Sequence, residues 1–322
     1  MKPREAVVPF GNIAQLLKSM SKSGFQGRKL GESVEIWSQM IRDPDCTIFL
    51  GLSGAMIPAG MQQCLIELVR RHYVDAVVST GANVFHDICE HMGVRHYLGY
   101  HHVDDHKLFE EGIDRIYDVF AYEEEFRDVD RFIARFAEGI APFRGSSRCF
   151  VEKLGRMLRV ERPGSTSFTS AAAEEGIPIF VPALCDSSIG IGLVIARRRG
   201  IEVEVDQIAD TDEITAMVEE AKKTGVVYIG GGVPKNFIQQ TQIIASIHEK
   251  HPGGHAYAIQ YTTDAPHWGG LSGCTFEEAI SWGKEAPDCS RVQCFCDATI
   301  ALPLVTAALI ERGEERRREE FS

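Results

Sequence analysis

The sequence predicts an α/β fold with a doubly wound, mostly parallel sheet that follows an N-terminal helical extension. Compact apolar runs alternate with stretches of helical periodicity, which is the pattern of strands joined by crossover helices. Most of these runs end in glycine or in small polar residues, as strands do before a tight turn into a helix. Residues 1–45 carry helical spacing only. Because α/β folds often exceed 250 residues, we interpret residues 1–322 as one domain.

The predicted elements follow one another in a regular order. In the N-terminal segment, Asn12–Met20 and Lys29–Ile41 have apolar residues at helical spacing and are separated by Ser23-Gly24. The predicted strands are compact, mostly apolar runs, as expected of parallel strands buried on both faces: Thr47–Leu50, Ala76–Ser79, Ile179–Val181, Val226–Ile229, Ala256–Tyr261 and Val292–Cys296. The helices predicted between them include Pro58–Arg71, Asp212–Thr224, Phe237–Glu249 and Thr275–Gly283.

A basic insert, residues 144–169, interrupts this alternation. Its arginines and lysines predict a solvated basic face, and an interface role is the sharper alternative.

The composition narrows the classes of function. The chain has 34 Lys and Arg against 46 Asp and Glu, a net charge of −12, which argues against general nucleic-acid binding and suits cationic partners such as polyamines. No apolar run reaches the ~18 residues of a membrane span, and no secretory signal is evident at the start. The nine cysteines are an odd number, scattered along the chain, which favours free thiols in a reducing cytoplasm.

The ends of four predicted strands suggest a nucleotide site. The first runs into Gly51-Leu52-Ser53, the second into Thr80-Gly81, the fourth into Gly230-Gly231-Gly232 and the last into Asp297-Ala298. Ligands of such sheets bind beyond the carboxyl ends of the strands. Glycine lets the backbone approach a phosphate, and an aspartate can accept from ribose hydroxyls. The alternative for each is a tight turn that needs glycine for conformation alone.

A second pattern is the run Ser281-Trp282-Gly283-Lys284 with Glu278 before it. On a helix, Glu278 and Trp282 share a face, and Glu277 shares one with Lys284 if the helix continues. An aromatic face beside a carboxylate attracts an ammonium ion, and a lysine that loses its proton can form an imine. The alternative is a surface helix on which the lysine stem lies over a half-buried tryptophan.

A third pattern is a histidine-rich stretch that includes His86, His91, His96, His101, His102 and His106. A metal hydrolase would use such residues, but the spacings of five do not share one helix face, and we predict no metal site. His86, just past the second strand, is instead a candidate acid or base because imidazole titrates near neutral pH.

Taken together, several segments resemble the deoxyhypusine synthase family, and the Ser-Trp-Gly-Lys run is the most specific of them. The others occur in family order across nearly the whole chain: Phe25-Gln26-Gly27, Ile48-Phe49-Leu50-Gly51, Val74-Asp75-Ala76-Val77-Val78-Ser79-Thr80, Pro182-Ala183-Leu184, Gly230-Gly231-Gly232 and Asp297-Ala298.

The resemblance implies a Rossmann-like fold, a homotetramer and NAD as cofactor. It also implies that an aminobutyl-type group passes from a polyamine to an enzyme lysine as an imine and then to an acceptor amine. Lys284 matches the imine-forming lysine, and Trp282 and Glu278 match the lining of the amine tunnel. Matches to cofactor positions are Asp186, Gly230, Gly232, Asp297 and Ala298, with Ser53, Thr80 and Gly81 in the loops around them.

The sequence departs from the family pattern where the far amines of spermidine would be anchored. Acidic anchors of the eukaryotic enzymes align with Ile191 and with Leu271 and Trp268, a family histidine aligns with Asn236, and a family glutamate aligns with His86. Asp264, with His267, is a candidate replacement. Each lost charge-assisted bond removes ~1.5–3 kcal/mol, so the chemistry is expected to persist while the substrate changes.

We therefore expect a cytoplasmic aminoalkyl transferase whose donor is spermidine, putrescine or agmatine. The acceptor is a small amine, as in homospermidine formation, or a protein lysine; the second case includes a true deoxyhypusine synthase acting on a translation factor. An NAD-linked amine dehydrogenase and a non-catalytic NAD or polyamine binder are the competing classes.

Overall fold

The structure is a computed structural model that describes residues 3–250 and 253–316. The predicted helical segment 1–45 begins with two residues that lie outside the described part. The strands are β1 Cys46–Leu52, β2 Ala76–Ser79, β3 Tyr97–Leu98, β4 Ile113–Ile116, β5 Val119–Tyr122, β6 Phe143–Gly145, β7 Ile179–Phe180, β8 Val203–Val205, β9 Lys223–Ile229, β10 His255–Tyr261 and β11 Glu285–Cys294.

The helices alternate with these strands along most of the chain. They are α1 Ile13–Met20, α2 Phe25–Arg42, α3 Gln62–Arg70, α4 Gly81–Met92, α5 Asp105–Glu110, α6 Glu123–Ile140, α7 Ser147–Glu161, α8 Phe168–Glu175, α9 Ser188–Arg198, α10 Gln207–Glu220, α11 Gly232–Ile247, α12 Phe276–Ser281 and α13 Ala298–Glu311, with a 3₁₀ turn at Pro266–Trp268.

The chain divides into two compact units. One comprises Met1–Ser53, Glu67–Val78 and Thr211–Ser322, and the other comprises Gly54–Ile66 and Ser79–Asp210. We call them the sheet unit and the helical unit. The single domain over residues 1–322 stays a prediction.

The sheet unit confirms the predicted doubly wound, mostly parallel sheet. Its strands lie in the order β11-β10-β9-β1-β2, and β1, β9, β10 and β11 pair in parallel. From β1 the chain continues to β2 on one side, whereas β9 lies on the other side and leads outward to β10 and β11. The winding direction therefore reverses between β1 and β9, the place where such sheets bind ligands.

Apolar burial explains why these strands lie at the centre of the unit. Ile48, Phe49 and Leu50 of β1 are fully buried, as are Val226 and Val227 of β9. Helix α2 packs on the sheet, and its Trp37 is buried with Nε1 donating to Tyr73 O at 3.1 Å. Both faces of the strands are therefore covered, as their continuous apolar sequence predicts.

The helical unit contains short strands that the sequence reasoning did not predict. β3, β5 and β4 form an antiparallel sheet, and β6 pairs in parallel with β8. The predicted strand at residues 179–181 is present as β7. The helix predicted at Asp212–Thr224 is partly wrong, because α10 begins at Gln207 and Thr224 already lies in β9.

The basic insert forms β6, α7 and the loop before α8. Several of its arginines pair with carboxylates: Arg148 and Arg156 with Glu152 at 3.3 and 2.6 Å, and Arg159 with Glu174 at 2.9 Å. Much of the predicted basic face is thus neutralised locally, and an interface role stays a prediction.

Within the described residues, no helix is long and apolar enough to cross a membrane. The same residues include no group of three or more His, Cys, Asp or Glu side chains placed to hold a metal ion. The cysteines are free thiols.

Candidate active site

The reversal point of the sheet is built by Ser53 and the glycine turn after β9. Ser53 N donates to Ile229 O at 3.0 Å, and its hydroxyl donates to Gly231 O. Gly230 and Gly232 have φ angles of +75° and +54°, a region that residues with a Cβ rarely adopt. The turn therefore needs glycine for its conformation at both positions.

The same turn has one closed face and one open face. A Cβ on Gly231 would lie 2.4 Å from Ser272 Cα, and Gly232 N donates to Ser272 Oγ at 3.1 Å, so residues near Ser272 cover one side. No atom lies within 4 Å of a Cβ built on Gly232, where α11 begins. An anion can therefore approach the backbone at the start of this helix.

Two carboxylates follow the neighbouring strands at the same edge of the sheet. Asp264 comes after β10, is half-buried, and accepts from Ala265 N at 2.9 Å. Asp297 comes after β11 and is exposed. One of its oxygens accepts from Thr299 N and Oγ1 at 2.7 and 2.6 Å, which caps α13 just before Ala298. The other oxygen has no partner in the described part of the chain and is available to a hydroxyl donor.

The helical unit holds the remaining predicted cofactor residues. Thr80 caps α4, and its hydroxyl donates to Gly54 O at 2.8 Å. A Cβ on Gly81 would lie 2.4 Å from Ser187 Oγ, so the loop that follows β7 needs a glycine there. Asp186 lies exposed in that loop. Cofactor contact by these residues stays a prediction.

Lys284 lies just beyond the end of α12. The helix ends at Ser281, Trp282 is its C-cap, and Gly283 turns the chain with φ +72°. Lys284 is only 9% exposed, and its Nζ donates to Asn236 Oδ1 at 3.0 Å. The same nitrogen lies 5.6 Å from the Trp282 ring centroid, within cation–π range. The structure thus brings together three of the predicted site residues.

The carboxylates near Lys284 in sequence are not arranged as they would be if the helix continued to Lys284. Because α12 ends before Lys284, the expected pairing of Glu277 with Lys284 on one helix face is wrong, and Glu277 instead pairs with Arg291 at 3.1 Å. Glu278 is exposed in the first turn of α12. Trp282 is 65% exposed, so one ring face remains open to a second cation.

Sequence reasoning missed a buried lysine behind this site. Lys235, on the first turn of α11, is fully buried and donates to Gln260 Oε1 at 2.9 Å and to Cys274 O at 2.7 Å. Gln260 in turn donates to Gly230 O and Ser272 O. Burial lowers the pKa of Lys235. This network joins the glycine turn to α12, and its only sequence signal was a lysine in an apolar helix start.

Glu285, the neighbour of Lys284, is also buried. Its Oε1 accepts from Gln239 Nε2 at 3.0 Å, whereas Oε2 and Gln239 Oε1 lack partners among the described residues. Burial raises the pKa of Glu285 to about 7. A protonated carboxyl group would supply the donor that these two oxygens lack.

His86 lies in the helical unit, on the buried side of α4. Burial and the neighbouring His96 lower its pKa to about 3. Of the other histidines in the stretch, His91 bonds to Leu158 O at 2.7 Å. Within the histidine-rich stretch, His91 therefore makes a structural contact, whereas His96 lies beside His86.

The site thus combines a mostly parallel sheet, a glycine turn at its reversal point and a nearly buried lysine beside a tryptophan, and these features define the class of an α/β enzyme with a candidate amine nucleophile. A family model described as deoxyhypusine synthase matches residues 15–309. The chain belongs to the deoxyhypusine synthase family, and it is a transferase of that type.

The relatives support the same assignment. "Probable deoxyhypusine synthase 2" of Methanosarcina acetivorans is 57% identical over 307 residues, 95% of this chain and 89% of the relative. The protein of that name in Archaeoglobus fulgidus is 54% identical, covering 90% of this chain and 96% of its own. "Probable deoxyhypusine synthase 1" of the same organism is 40% identical, covering 94% and 95%.

Solved structures support the fold. A candidate deoxyhypusine synthase from Entamoeba histolytica superposes with a TM-score of 0.65 at 18% identity, covering 98% of this chain and 99% of that one.

Proposed function

We propose that the protein transfers an aminoalkyl group from a polyamine to an acceptor amine, with NAD as cofactor and Lys284 as the covalent carrier. The observation that carries this proposal is the position of Lys284. Its amine is nearly buried, faces an uncharged amide oxygen and lies beside an exposed tryptophan face. An amide oxygen accepts a hydrogen bond from a neutral amine as well as from an ammonium group, so it suits a nucleophile that must give up its charge.

The glycine turn at the reversal point fits a dinucleotide. Gly232 leaves open space at the start of α11 for a pyrophosphate, and the free oxygen of exposed Asp297 suits a ribose hydroxyl. Ser53 and Gly230 support the turn, and Thr80, Gly81, Asp186 and Ala298 complete the proposed set. When bound, NAD would accept a hydride from the carbon next to a donor nitrogen and return one at the end of the reaction.

The chain's own residues carry the transfer steps. Neutral Lys284 Nζ adds to the substrate imine carbon, the first amine leaves with a proton, and the aminoalkyl group remains on Lys284 as an imine. The acceptor amine then adds to the same carbon and displaces Lys284. Asn236 orients Nζ, and His86 is the proposed acid or base for the accompanying protons.

The substrate is a compact or planar cation rather than spermidine anchored at both ends. Ile191 and Leu271 stand where acidic anchors are expected, and both are exposed apolar side chains. The exposed ring face of Trp282 is the proposed binding surface for a cation, which we call the cation seat. Glu278 and Asp264 provide two carboxylates. Putrescine, agmatine and spermidine in another pose are therefore the donors to test, with a homotetramer as the proposed assembly.

Two acceptors remain to be separated by experiment. The names of the relatives favour a lysine of the hypusine-containing translation factor. The apolar side chains of Ile191 and Leu271, which stand where acidic anchors are expected, favour a small amine.

Borohydride trapping tests the proposal directly. The protein is incubated with NAD and one amine at a time: spermidine, putrescine, agmatine or homospermidine. It is then reduced with borohydride, and its intact mass is measured. A stoichiometric mass increase is expected with at least one amine, absent when NAD is omitted. The trapped group names the donor, and a chase with free diamine or with the translation factor before reduction names the acceptor. No adduct with any amine, despite NADH formation, would favour an amine dehydrogenase.

Trp282→Ala should weaken donor binding. Cation–π attraction contributes ~0.5–2 kcal/mol, so KM for the donor should rise about 10-fold while kcat changes less. Steady-state NADH formation across donor concentrations measures both constants. Trp282→Phe keeps an aromatic face and should retain part of the affinity; equal losses in both variants would contradict the cation seat.

A further inference from the structure

Three side chains of the helical unit form a continuous hydrogen-bonded chain. Glu90 Oε1 lies 3.0 Å from His96 Nδ1, and His96 Nε2 lies 3.0 Å from His86 Nδ1. The side chain of His96 is 6% exposed, and His86 is buried. The arrangement of a carboxylate, an imidazole and a second imidazole is one along which a proton can move.

Local sequence explains why these residues meet. His86 and Glu90 are four apart on α4 and share one face. Gly93, with φ +95°, ends the helix, with Gly93 N donating to Glu90 O and Val94 N to Cys89 O. This is the Schellman ending, which reverses the chain and returns His96 against the same helix face. The motif is His-x₃-Glu-x₂-Gly-x₂-His.

The bonding partners determine which nitrogen carries each proton. An ionised carboxylate only accepts, so His96 Nδ1 bears a proton toward Glu90. Neutral His96 then has a bare Nε2, which accepts from the Nδ1–H of His86. It follows that His86 Nε2 is the bare, basic nitrogen, and within the described residues it has no hydrogen-bond partner.

Aromatic rings enclose the pair. The rings of Phe85 and Phe126 lie 5.4 and 5.3 Å from that of His86, edge to face. Burial and His96 together lower the pKa of His86, so a charge placed on this ring alone is disfavoured. The charge can instead come to rest on His96, beside the Glu90 carboxylate.

Charged groups on the neighbouring elements do not account for the lowered pKa of His86. Asp87 on α4 is fully buried, where it accepts from Phe168 N, Thr169 N and Gln62 Nε2. Charged groups on the helices packed against α4 include Arg127 and Asp130 on α6, Glu174 on α8 and Arg197 on α9. His96 is the ionisable neighbour that shifts the pKa of His86.

We infer that Glu90, His96 and His86 form a proton relay whose open end is His86 Nε2. Nε2 takes a proton from a substrate ammonium, His86 passes its Nδ1 proton to His96 Nε2, and His96 becomes an imidazolium beside Glu90. The reverse sequence returns the proton to a leaving amine. His96 and Glu90 are positioning residues. The inference rests on the proposed function only for the identity of the group that delivers the proton.

The relay predicts a tautomer switch that nitrogen NMR can detect. In the full-length protein labelled with ¹⁵N-imidazole histidine, His86 should carry its proton on Nδ1 at high pH. As the pH falls, His96 should become the imidazolium while His86 stays neutral and moves its proton to Nε2. Spectra from about pH 9 to about pH 5 cover this titration, and His86→Gln assigns the signals.

Glu90→Gln tests the role of the carboxylate while keeping its size. Loss of the negative charge should move the switch to lower pH, because a neighbouring anion favours the imidazolium. Glu161→Gln, an exposed change in the same unit, should leave it in place. The relay is refuted if His86 carries Nε2–H at high pH, if His86 itself becomes the imidazolium, or if Glu90→Gln shifts nothing.

The outcome is separable from that of amine trapping. A tautomer switch without any amine adduct would keep the relay and refute the proposed transfer. An adduct without a switch would refute the relay alone.

Discussion

Lys284→Ala should abolish the borohydride-trapped adduct and lower the rate of aminoalkyl transfer by more than about 10³-fold. The alanine variant has no amine to add to the imine carbon, and removal of a covalent nucleophile has the largest effect that a single substitution can have on such a reaction. Intact mass after reduction measures the adduct, and product formation measures the transfer. Among the described residues, Asn236 is the one hydrogen-bond partner of the Lys284 side chain, so loss of that side chain should leave the fold and NADH formation measurable.

Peptide mapping supplies the sharpest control, since Lys235 is a second buried amine nearby. Lys235 is fully buried and its Nζ donates hydrogen bonds to two acceptors, so it should remain unmodified in the wild-type protein. Lys284→Arg keeps a cation near Trp282 but cannot form the imine, and it should oxidise the donor without transferring it. Transfer that survives in Lys284→Arg, or an adduct mapped to Lys235, would overturn the assignment.

The strands of the main sheet could be predicted because a few consecutive residues contain the whole signal for each strand. Runs such as Val226–Ile229 are apolar on both faces, and glycine follows directly, so length, burial and termination agree. The short strands at Tyr97–Leu98 and Val203–Val205 were missed because they are exposed or half-buried and carry no continuous apolar run. Helix ends were harder, since Gly283 and Lys284 continue the periodicity beyond the true end of α12 at Ser281.

In the candidate site too, features set by local sequence could be predicted, and features set by tertiary packing could not. Lys284 and Trp282 lie two residues apart, and their proximity to each other follows from local sequence. The contact of Lys284 with Asn236 joins residues 48 positions apart and depends on tertiary packing. The Glu90–His96–His86 chain was missed because helical spacing was applied across Gly93, which ends the helix. A glycine read as a helix end would have predicted the return of His96.

Glu285→Gln should raise the free energy of unfolding by about 2–3 kcal/mol at pH 8 and change it little at pH 5. Burial raises the pKa of Glu285 to about 7, against 4.5 for the exposed group. The folded chain therefore holds a proton that the unfolded chain releases between these values. The stability contributed by this group is complete below pH 4.5 and is lost as the pH rises through about 7. A tenfold difference in proton affinity between the folded and unfolded chains corresponds to ~1.4 kcal/mol, and glutamine removes the charge that causes the loss.

Denaturant unfolding of both proteins at about pH 5 and about pH 8 measures the difference. Asp288→Asn, an exposed change on the same strand, is the matched control and should show no such pH dependence. The buried oxygens of Glu285 and Gln239 that lack partners favour the neutral side chain, since an amide or a protonated carboxyl group can donate between them. If Glu285→Gln instead lost stability at pH 8, attraction to Lys284 and Lys235 would outweigh burial, and the ionised form of Glu285 would be the one that the fold stabilises.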